Sequence, residues 1–183
     1  MLDLTIRPGD VPFDEHGLVL VQEWCDNDGI VCARSYVGEG VRWMRWQGSA
    51  SFRFDDTGAV DAFVERPLDS RAVLDFFHRV VEPLALQALG DETLHASAVS
   101  LASGVVGFCG DCESGKSTIA YGLSRRGYRQ LADDSLVLQF GHQGVRAREL
   151  PFGVRLRPQS AAFFGVGSGA TQIRATGASA AAT

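Results

Sequence analysis

Apolar and polar residues alternate at short periods through the first 66 residues, which predicts strands joined by tight turns. LVLVQEWC and IVCARSY flank Asp26-Asn27-Asp28-Gly29, a hairpin signal because Asn, Asp and Gly tolerate positive φ. VRWMRWQ, SFRFDD and AVDAFVE continue the pattern, with Thr57-Gly58 turning the chain between the last two. The period then lengthens. Pro67-Leu68-Asp69-Ser70 reads as a helix start, with Asp69 or Ser70 as cap, and Val73, Leu74, Phe76, Phe77, Val80 and Val81 form one helical stripe. Pro83 predicts a break or kink in that helix, and Gly90 a cap for its continuation. From residue 94 the pattern becomes strand, loop, helix, strand. LHASAVSL and VVGFC are strands around a Ser103-Gly104 turn, 117–126 is a helix ending at Gly127, and RQLA and SLVLQF are strands around Asp133-Asp134. GHQG is a turn and VRARE a strand that ends before Pro151. The pattern predicts a β-rich region with a bridging helix over 1–90, a core over 91–164 that stops short of completion, and a loose Ala/Gly-rich tail over 165–183.

Composition adds constraints to this outline. The 183 residues are 45% hydrophobic and 21% charged, which excludes wholesale disorder. No apolar run approaches the roughly 18 residues that span a bilayer, and MLDLTIRPGD lacks signal-peptide features, so a cytoplasmic protein without membrane attachment is expected. A net charge of −5 argues against general nucleic-acid binding. The charge is uneven: residues 1–90 hold 15 acids and 8 Arg, whereas 91–183 hold 7 acids, 8 Arg and the only Lys, Lys116. The second half is therefore where an anionic ligand is expected.

Lys116 stands in the one strong motif. Gly110-Asp111-Cys112-Glu113-Ser114-Gly115-Lys116-Ser117 fits G-x-x-x-x-G-K-[ST] at every fixed position, between an apolar strand and an amphipathic helix. The two glycines permit backbone angles that turn successive N–H groups around a phosphate, and the helix N-terminus adds its positive end. Lys116 would reach the outer phosphates, the Ser117 hydroxyl would join Mg²⁺, and Thr118 completes the nucleotide-contacting run. Glu113 would oppose a triphosphate if turned inward, so its side chain is expected to face solvent.

Two further features lie close to the loop in sequence. Asp133 and Asp134 are adjacent carboxylates at a strand end, suited either to hold Mg²⁺ and accept a proton or to decorate a solvated turn. His95 opens an apolar strand, either as a structural histidine or, if that strand neighbours the loop strand, as a residue of the same site. Cys109 and Cys112 form a C-x-x-C that also admits a redox or metal reading, although no second ligand pair at matching spacing accompanies it. Gly165–Gly169 lacks the flanking strand and helix of a dinucleotide fingerprint, Arg155 and Arg157 face either an anionic substrate or, as charge runs usually do, solvent, and Trp24, Trp43 and Trp46 read as packing residues.

LHASAV, GDCESGKST, RRGYRQLADDSLVL and PFGVRLRP, in this order, resemble the HPr kinase/phosphorylase family, and more closely its HPr-kinase-like relatives. The resemblance covers about residues 94–158. It implies an α/β fold, a P-loop kinase core related to phosphoenolpyruvate carboxykinases, here preceded by the β-rich N-terminal region. It also implies an ATP- and Mg²⁺-dependent serine kinase acting on a protein or peptide, with homo-oligomerisation favoured. The alternative is a nucleotide-binding regulatory module without catalysis. The resemblance makes His95 the active-site histidine, Lys116 the phosphate-binding lysine, Ser117 a magnesium ligand and Asp134 the base that deprotonates the acceptor. Asp133 would be the partner that orients His95 or the metal. Two loop positions depart from the family pattern: Glu113 stands where Gly is usual, and Cys112 where Ser is usual.

Overall fold

The computed structural model describes residues 2–9, 11–46, 48–64, 70–166 and 173–174. The chain divides into two compact units, Met1–Phe77 and His78–Thr183.

The first unit is a six-stranded sheet in the order β1-β6-β5-β4-β3-β2. Its strands are β1 (Asp3–Pro8), β2 (Val19–Cys25), β3 (Val31–Gly38), β4 (Val41–Trp46), β5 (Ala50–Phe54) and β6 (Ala59–Val64). Only β1 and β6 pair in parallel, because every other neighbour is reached by a short turn. The β2–β3 turn forms as its residues dictate: Gly29 takes φ +79°, and the Asp26 carboxylate accepts the Asp28 and Ile30 N–H groups at 3.0 and 2.9 Å. Alternation along β4 and β5 gives the sheet two apolar faces. Phe52 packs with Trp46 and with Phe76 of helix α1 (Ser70–Phe76) on one face. Trp43, Tyr36 and Phe63 pack on the other against Val11, Phe13 and Leu18. The cap expected from Asp69 or Ser70 lies outside the described side chains.

The π-helical turn Phe77–Val81 runs into α2 (Glu82–Ala88), with Pro83 in the first turn of α2. Proline lacks the N–H that a regular helix would bond to the carbonyl four residues back, and the first turn is where that loss is tolerated. Gly90 then ends the helix at φ +105°.

The second unit contains β7 (Glu92–Leu94), β8 (Ala96–Leu101), β9 (Gly104–Cys109), α3 (Lys116–Ser124), β10 (Arg129–Ala132), β11 (Leu136–Gly141), β12 (Gly144–Arg148), β13 (Gly153–Val154), α4 (Pro158–Phe163) and β14 (Ile173–Arg174). One three-stranded sheet has the order β10-β8-β9, a second the order β12-β11-β7, and β13 pairs with β14. Both β9 and β10 run antiparallel to β8, so they run parallel to each other, with α3 as their crossover and packed on the sheet. Ala96, Ala98, Leu131, Ala132 and Leu136 form a small core. Tyr121 of α3 packs with Val154, Leu156 and Ala161 in another. From residue 167 onward only β14 is described, so the predicted loose tail lies almost wholly outside the described residues.

This architecture corrects the expected fold class. The chain is mostly β, at 45% strand and 21% helix, and it does not form a P-loop α/β core. The physical reason is the turn lengths. The expected Ser103-Gly104 turn forms one residue earlier, at Ala102-Ser103, as a tight hairpin like that between β11 and β12, and hairpins of this length close only antiparallel pairs. One helical crossover, through α3, leaves no route to a wound parallel sheet. No described helix is long and apolar enough to cross a membrane.

Candidate phosphate-binding site

The loop between β9 and α3 brings the motif residues into one turn. Gly110 adopts φ +153° and Gly115 φ +92°, angles that suit glycine. At Gly110 a Cβ would stand 2.9 Å from the Ser114 hydroxyl, so the loop's tightness itself requires glycine there. Asp111, Cys112, Glu113 and Ser114 are exposed along the crown, and the Ser114 N–H closes it by bonding the Asp111 carbonyl at 3.2 Å.

Lys116 begins α3 and turns its side chain back into this loop. Its Nζ donates to the Gly110 and Asp111 carbonyls, both at 2.9 Å, and the residue is buried. Burial of an ammonium is tolerated because two carbonyl oxygens satisfy it, and these partners fix the charge at the loop's mouth. Thr118 is less available to a ligand than its sequence position implies, because its hydroxyl is within 2.9 Å of Ser160 Oγ and ties α3 to α4.

Asp133 joins the same neighbourhood from the end of β10. It is buried, and its Oδ1 accepts the Ser97 hydroxyl at 2.6 Å while Oδ2 accepts the Arg155 N–H at 3.3 Å. Ser97 Oγ is also 3.5 Å from Ser117 Oγ, so oxygen atoms from β8, β10 and the first turn of α3 converge. Burial is the chief cause that raises the Asp133 pKa, with the Asp134 charge adding to it, while hydrogen bonds from Ser97, Ser117 and the Arg155 amide pull it down.

Asp134 takes φ +66°, and the Ser135 N–H bonds the Asp133 carbonyl at 2.9 Å, so a three-residue turn closes around it. His95 Nδ1 is 3.0 Å from the Asp134 carbonyl. A carbonyl can only accept, so Nδ1 carries the hydrogen of this bond. The structure thus places His95, Lys116, Ser117, Asp133 and Asp134 around one set of strand and helix ends.

Ser117 and Asp133 supply hard oxygen donors, the chemistry that magnesium selects. Among the described residues no group of three or more His, Cys, Asp and Glu gathers. Magnesium tolerates such a site because it keeps waters and phosphate oxygens in its shell. The residues fit that ion. Cys109 and Cys112 are free and exposed, without a third such ligand.

One residue here was not singled out from sequence. Ser97 is fully buried and bonded to Asp133, although the alternation of LHASAVSL marks only that it opposes Ala96 and Ala98. Arg157 is exposed, as its alternation with Leu156 leads one to expect, and pairs through its guanidinium with the Glu113 carboxylate. Glu113 itself adopts φ +72°, a left-handed conformation that explains why glycine suits this position. Comparison of the chain with protein-family models, with curated proteins and with solved structures finds no match.

Proposed function

We propose that the chain binds ATP with its phosphates in residues 110–118 and transfers the terminal phosphoryl group to a serine hydroxyl of a protein or peptide. The observation that carries this reading is a loop that holds the Lys116 ammonium on its Gly110 and Asp111 carbonyls, while the next residue, Ser117, shares Ser97 with the buried Asp133 carboxylate at 3.5 and 2.6 Å. Ser117 and Asp133 would hold magnesium, which when bound offsets negative charge on the phosphates. Lys116 would exchange its two loop carbonyls for phosphate oxygens. Asp134 would accept the proton of the acceptor hydroxyl as that oxygen takes the phosphoryl group and ADP leaves. His95 would position Asp134 through the carbonyl it already holds at 3.0 Å. The acceptor class rests on the resemblance of residues 94–158 to HPr-kinase-like proteins.

Calorimetric titration with ATP and Mg²⁺ tests the shared premise. Lys116→Ala is expected to weaken binding by about 30-fold or more, with far-UV circular dichroism unchanged. Transfer of labelled phosphate to serine-containing peptides tests the chemistry, and Asp134→Asn is expected to lower its rate by about 10²–10⁴-fold. Binding with no transfer to any acceptor would leave a regulatory nucleotide-binding role. No binding at millimolar ATP would overturn the proposal.

A further inference from the structure

Glu113 and Arg157 are 44 residues apart and meet at the crown of the phosphate loop. We infer that Arg157 is a phosphate-binding residue, held ready by Glu113 and handed over to the bound nucleotide. This inference rests on the phosphate-loop reading above.

Three observations carry it. First, the segment bearing Arg157 is anchored beside the site at two points: the Arg155 N–H on the Asp133 carboxylate at 3.3 Å, and the Arg157 guanidinium on Glu113. Alternating with these two arginines, Val154 and Leu156 are buried against Tyr121 of α3. Strand-like alternation therefore turns residues 155 and 157 outward on the same side, next to the loop and away from the core. Second, both members of the pair are largely exposed, with side chains at 63% and 60% of full accessibility, and exposed pairs of this kind hold weakly. A triphosphate presents several times the charge of one carboxylate, and a guanidinium matches phosphate oxygens in forked geometry, so the exchange is favourable. Third, Glu113 occupies a backbone conformation that strains any side chain except glycine's, in a loop meant for an anion. A carboxylate there opposes phosphate unless a cation covers it. It also gives the free loop a stand-in for the missing negative charge.

A double-mutant cycle separates a ligand-binding arginine from one that merely shields Glu113. The chain and its Glu113→Gln, Arg157→Gln and doubly substituted variants are titrated with ATP and Mg²⁺ by calorimetry. Glu113→Gln is expected to tighten binding several-fold, because it frees Arg157 and removes a like charge. Arg157→Gln is expected to weaken binding by about tenfold, and by more in the Glu113→Gln background, where no carboxylate competes for the guanidinium. If Arg157→Gln weakens binding only when Glu113 is present, Arg157 is a shield and the inference is wrong. It is equally wrong if Arg157→Gln changes neither background. Both results are distinct from failure of the phosphate loop, in which the unsubstituted chain binds no ATP. Lys116→Ala, measured beside the cycle, shows that the binding being read belongs to that loop.

Discussion

Glu113 and Asp134 are the non-glycine residues at positive φ among the described residues, and both border the candidate site. Such conformations cost on the order of 1–2 kcal/mol for a residue with a Cβ, less for Asp, whose short side chain bonds locally. Their coincidence with the loop and the strand end fits the tendency of strain to collect where chemistry is done. At position 113 a direct check is available. Glu113→Gly should be more stable than Glu113→Ala by about 1 kcal/mol in chemical denaturation, the reverse of the usual order at negative φ. Asp133 makes a second residue-scale claim. Its folded pKa is raised above the unfolded value, chiefly by burial, so the unfolded chain releases this proton first as pH rises. The stability it contributes is full below the ordinary carboxylate range and declines as pH rises through its raised folded value. Asp133→Asn has no such proton, so its stability relative to the unsubstituted chain should improve with pH across that window. Denaturation midpoints of the two proteins, measured from acid to neutral pH, decide this. A difference that stays flat with pH would contradict it. None of this residue-level strain is written in the sequence, because the turn around Asp134 depends on the Asp133 carbonyl meeting the Ser135 N–H.

At the scale of elements the sequence is more informative. The Asp26–Gly29 hairpin, the β8–β9 hairpin and α3 follow from period, turn residues and glycine placement, all local properties of the chain. The loop motif was legible for the same reason, since its residues are contiguous. Fold class was not, because it depends on which strands pair, and the kinase-like motifs between 94 and 158 pointed to an α/β core that the antiparallel pairing replaces. The sequence leaves the role of Arg157 open between an anionic ligand and solvent for a related reason. Its alternation with Val154 and Leu156 marks an outward face, but nothing in the spacing reveals a partner in the loop crown. The interior of the first sheet gives an element-scale test. Phe52 of β5 is fully buried and stacks among Trp46, Phe76 and Phe77, so truncation removes ring contacts on several sides. Phe52→Ala should destabilise the first unit by about 3–5 kcal/mol, seen as a lowered denaturant midpoint.

For the whole molecule, the two units carry different probes, which makes the proposed site open to measurement in place. Trp24, Trp43 and Trp46 all lie in Met1–Phe77, whereas the phosphate loop, Asp133 and His95 lie in His78–Thr183. Tryptophan fluorescence therefore reads the six-stranded sheet, and another observable must read the site. Amide hydrogen exchange serves, because opening of β9, α3 and β10 exposes their own N–H groups. A ligand that binds only the folded site stabilises it by RT ln(1 + [L]/Kd), about 2.7 kcal/mol at one hundred times Kd. With ATP and Mg²⁺ at that excess, exchange within 105–124 and 129–134 should slow by up to about 100-fold where it proceeds through unfolding of the site. Lys116→Ala should cut the slowing to about fourfold or less, since the loop then lacks the ammonium now held by the Gly110 and Asp111 carbonyls. Slowing confined to β2–β5 would instead place the nucleotide on the first unit and remove the loop from the account. Slowing around the loop that Lys116→Ala leaves undiminished would keep the location while denying this lysine its role.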